Sequence, residues 1–469
     1  MGSAQAGMFV VQFASSVIIA RLMTPIEVGI FVMASSICGI LGIIQGLGLS
    51  GFIVRETSLP ERLKETTFTI GLIINVAVAV AIGLCSIASR VVFQQLAVAQ
   101  VLALLALIPL LGILEFLPAA MVERAADFRL IAGIGLARGL LVQGLTVALA
   151  YLGFSSISFA YGQLAGALFS VLAYGVVGRA EIRLRLRLTD WRRVAAFGAQ
   201  MLSINAVNAA AGRLNEMLLA RIAGLQGLGL YARASNVNGF AWSNIHAVAA
   251  RVLLVKLSAL KRSGASVREY YLQVVELVTA ILWPAFIGLA VIAGPFIATV
   301  YGQKWVPAAN ALVLLALASA VLTSMTMTWE LFVVSGETRR QSWIELLRAI
   351  VGIGLFGLGA VFAGVTGAAA GTLATALFSV LIYRRPVEQM SSTTLADVCP
   401  IYLRSAVLSA VAVAPAGLVM LNYHGAATAP IGPLIAGCAV GIALWALVLW
   451  LTRHPLALEL RRLLPQATQ

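Results

Sequence analysis

The chain is 469 residues long, 61% hydrophobic and only 11% charged, with a mean hydropathy of +0.98. No water-soluble core absorbs that much apolar surface, so a globular soluble enzyme is excluded and a polytopic membrane protein is indicated. The formal net charge of +14, from 32 Lys and Arg against 18 Asp and Glu, would suit nucleic acid, but the basic residues sort by membrane side, so no nucleic-acid partner is expected.

Crossing about 30 Å of hydrocarbon takes roughly 20 apolar residues in a helix. The expected fold class is an all-α polytopic membrane protein, with fourteen predicted spans at 2–20, 28–49, 68–86, 98–120, 130–151, 157–177 and 194–219, then 231–255, 271–294, 309–335, 344–361, 367–383, 403–421 and 431–451. With the N-terminus in the cytoplasm, 22 Lys and Arg fall in inward loops and at the C-terminus. Only Arg21, Arg90, Arg221, Arg233 and Lys304 fall in outward loops, and five lie within spans. That bias predicts both termini in the cytoplasm. The first apolar run lacks a basic leader and is followed by Arg21 instead of a small-residue cleavage site, so a removable signal peptide is not expected. No basic residue precedes it, which leaves room for a longer natural N-terminus.

The chain also repeats itself. Residues 167–174 read ALFSVLAY and residues 376–383 read ALFSVLIY, and Gly162, Leu164 and Ala165 match Gly371, Leu373 and Ala374 at the same offset of 209. Ala20, Arg21, Gly29, Ala34 and Ser35 recur as Ala220, Arg221, Gly229, Ala234 and Ser235 at offset 200, and Arg138 recurs as Arg348 at offset 210. Offsets that drift slowly without reversing describe two collinear halves of about 200 residues each. The predicted organisation is a six-helix lobe over 1–190, a second over 191–390, and two further helices with a short cytoplasmic tail over 391–469. Six helices return the chain to its starting side, so the lobes should share one orientation and be related by an axis along the membrane normal.

Cys38, Cys85, Cys399 and Cys438 are scattered without metal-ligand spacing, so neither a disulfide framework nor a zinc site is expected. The connections are short, the longest polar ones spanning 178–191 and 384–400. They leave no room for a soluble catalytic domain. With no P-loop and no nucleophile elbow either, a non-enzyme without cofactor or metal is expected.

Residues 300–315, VYGQKWVPAANALVLL, resemble the "YG..W..A...L" segment of bacterial polysaccharide transporters in the multidrug/oligosaccharidyl-lipid/polysaccharide exporter superfamily. Residues 20–31, ARLMTPIEVGIF, resemble that family's turn between helices one and two. Residues 123–129 resemble its "RELRF" loop, and 364–375, GVTGAAAGTLAT, its helix-twelve start. The chain departs from the family at 255–258, where VKLS replaces a "PALS" segment. The resemblance implies an inner-membrane flippase that moves an undecaprenyl-diphosphate-linked oligosaccharide outward, with two lobes around a central cavity and alternating access.

Charges within hydrocarbon cost about 2.5 to 3.5 kcal/mol each on insertion scales, so each needs a partner or water. Glu115 and Arg138 lie at similar depth on helices four and five, and Glu330 and Arg348 repeat the arrangement on helices ten and eleven. One reading is a structural ion pair in each lobe. The other makes Arg138 and Arg348 the diphosphate-binding residues, with Glu115 and Glu330 compensating them in the empty site. On helix seven, Asn205, Asn208, Gly212, Asn215 and Glu216 fall within about 100° of one another. Their amides could hydrogen-bond sugar hydroxyls while Glu216 titrates in an ion-coupled cycle; interhelical bonding is the alternative. Asn236, Ser243 and Arg251 extend that lining on helix eight.

Arg213 is ambiguous, Glu276 and Glu345 lie where long side chains reach water, and His246 reads as a satisfied polar contact. Arg183, Arg185, Arg187, Arg192 and Arg193 set topology and touch anionic lipid heads; gathering substrate or a polysaccharide-synthesis protein is a further reading. The expected partners are a lipid-linked oligosaccharide, a coupling ion (H+ or Na+) and anionic lipids. The expected product pathway is exopolysaccharide, capsule or O-antigen synthesis. The competing readings are a multidrug exporter, a peptidoglycan-precursor flippase and a membrane glycan polymerase.

Overall fold

A computed structural model describes the chain apart from residues 1, 47, 57, 93–94, 178–184, 263–265, 426, 428, 453 and 457–469. Side chains are described except also at 2–6, 46, 91–92, 199–206, 208, 241 and 243–262. Among the described residues all regular structure is helical. In chain order it comprises α1 (Gly2–Leu22), α2 (Pro25–Gly42), α3 (Leu49–Arg55), α4 (Glu61–Val92), α5 (Leu96–Leu105), α6 (Leu107–Arg124), α7 (Phe128–Tyr151) and α8 (Ile157–Val177). There follow α9 (Trp191–Arg262), α10 (Val267–Val300), α11 (Ala309–Thr323), α12 (Thr328–Ser335), α13 (Thr338–Ser391), α14 (Leu395–Asn422) and α15 (Ile431–Leu451).

Local sequence explains where these helices begin. Thr24 caps α2: its hydroxyl accepts from the Glu27 amide, the Glu27 carboxylate accepts from the Thr24 amide at 2.6 Å, and Pro25 fills the first helical position. The "TP.E" part of the 20–31 motif is therefore a capping box. Thr394 and Asp397 build the same device at the start of α14. At the other end of a helix, Arg124 donates to the carbonyls of Ile53 and Glu56, the last turn of α3, where a cation is favoured.

Two elements are too long for one span. At 1.5 Å per residue, straight helices of the lengths of α9 and α13 would run roughly 108 and 81 Å. They break instead, α9 at Gly224 (φ 72°, ψ 177°) and α13 at Ala363 and Gly364. Among the described residues ten helical segments are long and apolar enough to cross a membrane. Two of the fourteen expected spans, 344–361 and 367–383, lie within α13 as one of these ten. The expected spans at 2–20, 194–219 and 231–255 fall on α1 and α9, which are not among them.

The chain folds as two compact units, Met1–Gly229 and Leu230–Gln469. In the N-terminal unit α4 packs on α5 and α6, α8 on α6 and α7, and α1 on α7. In the C-terminal unit α10 packs on α11 and α14, α11 on α13, and α15 on α14. The division falls beyond the repeat boundary expected at 190 because the first part of α9 binds into the N-terminal unit. A Cβ added to Gly29 would strike the Leu225 carbonyl, and one added to Gly229 would strike the Pro25 carbonyl. These four residues are related by the offset of 200, so equivalent helix starts meet reciprocally with backbone against backbone. Only a missing side chain at both positions permits that approach.

Large aromatic residues fill the C-terminal unit's interior, with Tyr301, Trp305, Phe286 and Phe332 all at 0% exposure. Outward-facing side chains are also apolar, including Leu172, Phe362, Leu381 and Leu421. Such a surface suits hydrocarbon as its solvent.

Candidate functional site

The charged groups of the N-terminal unit lie where helices meet. Glu115 on α6 and Arg138 on α7 form an ion pair at 3.5 Å, with 21% and 38% of their side chains exposed. The buried Ser170 on α8 hydrogen-bonds the same carboxylate, so three helices converge on Glu115. Because the guanidinium is only partly covered, it retains donors with which to meet a further oxyanion.

A second polar cluster joins α2 to α9. Ser36 donates to Glu216 at 2.5 Å, and Arg213 donates to the same carboxylate oxygen at 3.0 Å from one turn earlier on α9. A Cβ on Gly39 would stand 2.6 Å from Arg213 Nε, so glycine makes room for the guanidinium. Arg213 keeps 42% of its side chain exposed. The residue whose role is ambiguous in the sequence is thus built into this unit's polar interior. Asn215 Oδ1 beside it is buried without a hydrogen-bond partner. Gln45 donates to Asn75 at 2.9 Å in the same unit. The side chains of Asn205, Asn208, Ser243, His246 and Arg251 lie outside the described residues, and Asn236 is exposed.

In the C-terminal unit Arg348 binds Glu345, three residues earlier on α13, through Nη2 at 2.6 Å and Nε at 2.8 Å. Tyr383 donates to the other Glu345 oxygen at 2.7 Å. Glu345, expected to reach for water, is held instead by a guanidinium and a phenol. Glu330 is buried in the first turn of α12, where helix amides favour a carboxylate. Glu276 is largely covered by protein, with only 12% of its side chain exposed.

Arg233, expected in an outward loop, lies within α9 at 4% exposure. Its guanidinium stacks 4.9 Å from the Tyr301 ring centroid and 4.6 Å from that of Trp305. The "YG..W" segment therefore supplies both walls of an aromatic slot for Arg233. A signal was available in the two aromatics four residues apart, which ask for a common partner. Asn238, also missed, donates to Ser319 at 2.8 Å and ties α9 to α11.

Much of the basic cluster before α9 is occupied structurally. Arg187 bonds Thr69 through its amide and approaches Glu65 at 3.5 Å, and Arg193 binds Glu56 at 2.8 Å. Arg192 lies over the Trp191 ring, and Arg183 is outside the described residues. A hollow of about 900 Å³ between α10, α11 and α14 has, among the described residues, Asn310 as the only polar side chain in its lining, which does not suit a sugar head. The four cysteines are free, and the described residues hold no cluster suited to a metal.

The helical arrangement defines a class: polytopic membrane proteins with the fold of the multidrug and lipid flippase transporters. It matches the lipid II flippase MurJ in an inward closed conformation, with a TM-score of 0.73 over 95% of this chain and 97% of that one at 12% identity. It also matches an inward-facing MATE multidrug-resistance transporter, with a TM-score of 0.61 over 82% and 96% at 15% identity. The chain belongs to the polysaccharide biosynthesis protein family, which residues 18–310 match. Along its length it is 23% identical over 462 residues to the succinoglycan biosynthesis transport protein ExoT of Rhizobium meliloti, covering 98% of this chain and 93% of that protein. The lipopolysaccharide biosynthesis protein WzxC of Escherichia coli is 22% identical over 290 residues, covering 61% of this chain and 59% of that protein.

Proposed function

We propose that this protein is a bacterial inner-membrane flippase that carries an undecaprenyl-diphosphate-linked oligosaccharide from the cytoplasmic to the outer leaflet for cell-surface polysaccharide synthesis. The observation that carries the reading is full-length similarity to a polysaccharide transport protein in a chain whose paired arginines remain partly open. Arg138 and Arg213 each hold a carboxylate while exposing 38% and 42% of their side chains. A diphosphate displaces part of that pairing without stripping the guanidinium of charge-assisted bonds, which limits the desolvation cost of binding and release. Glu115 and Glu216 keep the empty site neutral, and in the C-terminal unit Arg348, with Glu345 beside it, offers a guanidinium of the same kind. Buried or half-buried amides, Asn215 among them, offer hydrogen bonds to sugar hydroxyls.

Only the polar head needs this path, and the prenyl tail stays in lipid. The protein works by alternating access, and a coupling ion, H+ or Na+, must bind one conformation more tightly than the other, because equal binding shifts nothing. Both termini lie in the cytoplasm by the charge bias of the loops. Leaflet-resolved measurement of lipid-linked oligosaccharide in a deletion strain tests the reading. Full-length sugar units should accumulate on carrier lipid in the cytoplasmic leaflet; accumulation in the outer leaflet would instead indicate a polymerase.

A further inference from the structure

Beyond the N-terminal charge pairs, the described residues of the C-terminal unit contain another buried titratable cluster, at the end of α15. Glu276 comes from α10, Arg404 from α14, and His454 follows the last turn of α15. Glu276 Oε1 lies 3.4 Å from His454 Nε2 and 3.6 Å from Arg404 Nη1. Only 12% of the Glu276 side chain and 4% of the His454 side chain are exposed, while Arg404 is 71% exposed. Glu276 Oε1 and His454 Nε2 are both buried without completed hydrogen-bond geometry.

The other imidazole nitrogen has a different task. His454 Nδ1 accepts the backbone amide of Leu456 at 3.2 Å, and the His454 amide itself returns to the Leu449 carbonyl at 3.1 Å to close α15. Leu456, 7% exposed, packs with Ala280, Leu408 and Leu449 of α10, α14 and α15. Accepting at Nδ1 requires a free lone pair there, which places the neutral ring's proton on Nε2, facing Glu276.

We propose that Glu276, Arg404 and His454 form a proton-binding site, and that taking up a proton at His454 Nδ1 unfastens the segment at Leu456 from α10, α14 and α15. An imidazolium has two N–H donors and no acceptor, so the Leu456 amide would face another N–H. Uptake takes one proton from water, forms an N–H bond at Nδ1 and breaks the hydrogen bond from the Leu456 amide. Attraction to Glu276 opposes the release, while burial and the Arg404 charge favour it. Burial is the largest influence and pushes His454 below the usual histidine range.

The sign follows from linkage: the released segment binds the proton more readily than the docked one. Docking is therefore complete above the ordinary histidine range near pH 6.5 and weakens as pH falls below it. Glu276 is the acid facing the ring from α10 and Arg404 the base from α14. The last turns of α15 present no described titratable side chain to it, and Arg453 is outside the described residues.

The test is hydrogen exchange of the peptide containing Leu456 in the full chain in lipid nanodiscs from pH 8 to pH 5, with rates normalised to the unfolded reference. Protection should fall about tenfold between pH 7.5 and 5.5, the limit for one linked proton being roughly tenfold per unit. His454→Asn keeps an acceptor at the Nδ1 position but does not titrate, so its protection should stay high and flat. His454→Ala should be poorly protected at every pH. Arg404→Gln should make the acid loss shallower by easing proton uptake in the docked form. A flat wild-type profile, or acid loss undiminished in His454→Asn, would overturn the proposal, and neither result depends on transport.

Discussion

The two units use their polar groups differently. In the N-terminal unit two partly exposed arginines hold acids, Arg138 on α7 taking Glu115 from α6 and Arg213 taking Glu216 from its own helix α9, while Ser36 on α2 ties that carboxylate to a second helix. In the C-terminal unit Arg348 takes an acid from its own helix, while Arg268 on α10 meets Asp397 on α14 at 2.6 Å and Arg404 on α14 approaches Glu276 on α10 at 3.6 Å. Neutral groups join helices there as well. Thr279 on α10 meets Ser405 on α14 at 2.8 Å, Trp445 on α15 donates to the Ala280 carbonyl at 3.0 Å, and Tyr402 on α14 donates to the Ser324 carbonyl at 2.7 Å. Offset-210 arginines thus keep their place in the repeat while changing partners. The contrast lies in cover: Arg348 keeps 27% of its side chain exposed, against 38% for Arg138 and 42% for Arg213.

Stability measurements can break this contrast. Trp305→Ala removes a fully buried indole and one wall of the Arg233 slot, and should lower unfolding stability by about 3 kcal/mol or more in a denaturant titration. Tyr383→Phe deletes the hydroxyl bonded to Glu345 and should cost about 1.5 kcal/mol, the low end for a bond to a charged group because Glu345 keeps some solvent. Thr279→Val should cost about 0.6 kcal/mol, near the average for interhelical hydrogen bonds in membranes. The exposed pair of Arg340 with Glu337 at 3.0 Å sets the floor. Arg340→Ala should change stability by less than about 0.5 kcal/mol. If Arg138→Ala proves as destabilising as Trp305→Ala, the N-terminal pair is fastening too and the contrast fails.

Much of the fold was legible because hydrocarbon imposes length. Apolar runs of about 20 residues could be read locally, and the offset-200 match of Gly29 with Gly229 marked two positions that meet in the folded chain, although the contact itself was visible only there. Matching depth likewise pointed from Glu115 to Arg138. Long side chains were harder to place, because their partners depend on rotamers set by tertiary packing. Arg233 turned inward to an aromatic slot, Glu345 was captured by Arg348 and Tyr383, and Glu276 met a histidine 178 residues later in the sequence. Arg213 resisted assignment because its niche depends on a missing side chain at Gly39 on another helix.

The most direct measurement is translocation of lipid-linked oligosaccharide by the reconstituted full chain, read leaflet by leaflet, for the wild type, Arg138→Ala and Arg348→Ala. On the proposed role of Arg138 as a diphosphate contact, Arg138→Ala should slow translocation about tenfold or more while remaining folded. Wild-type rates in both variants would contradict the account.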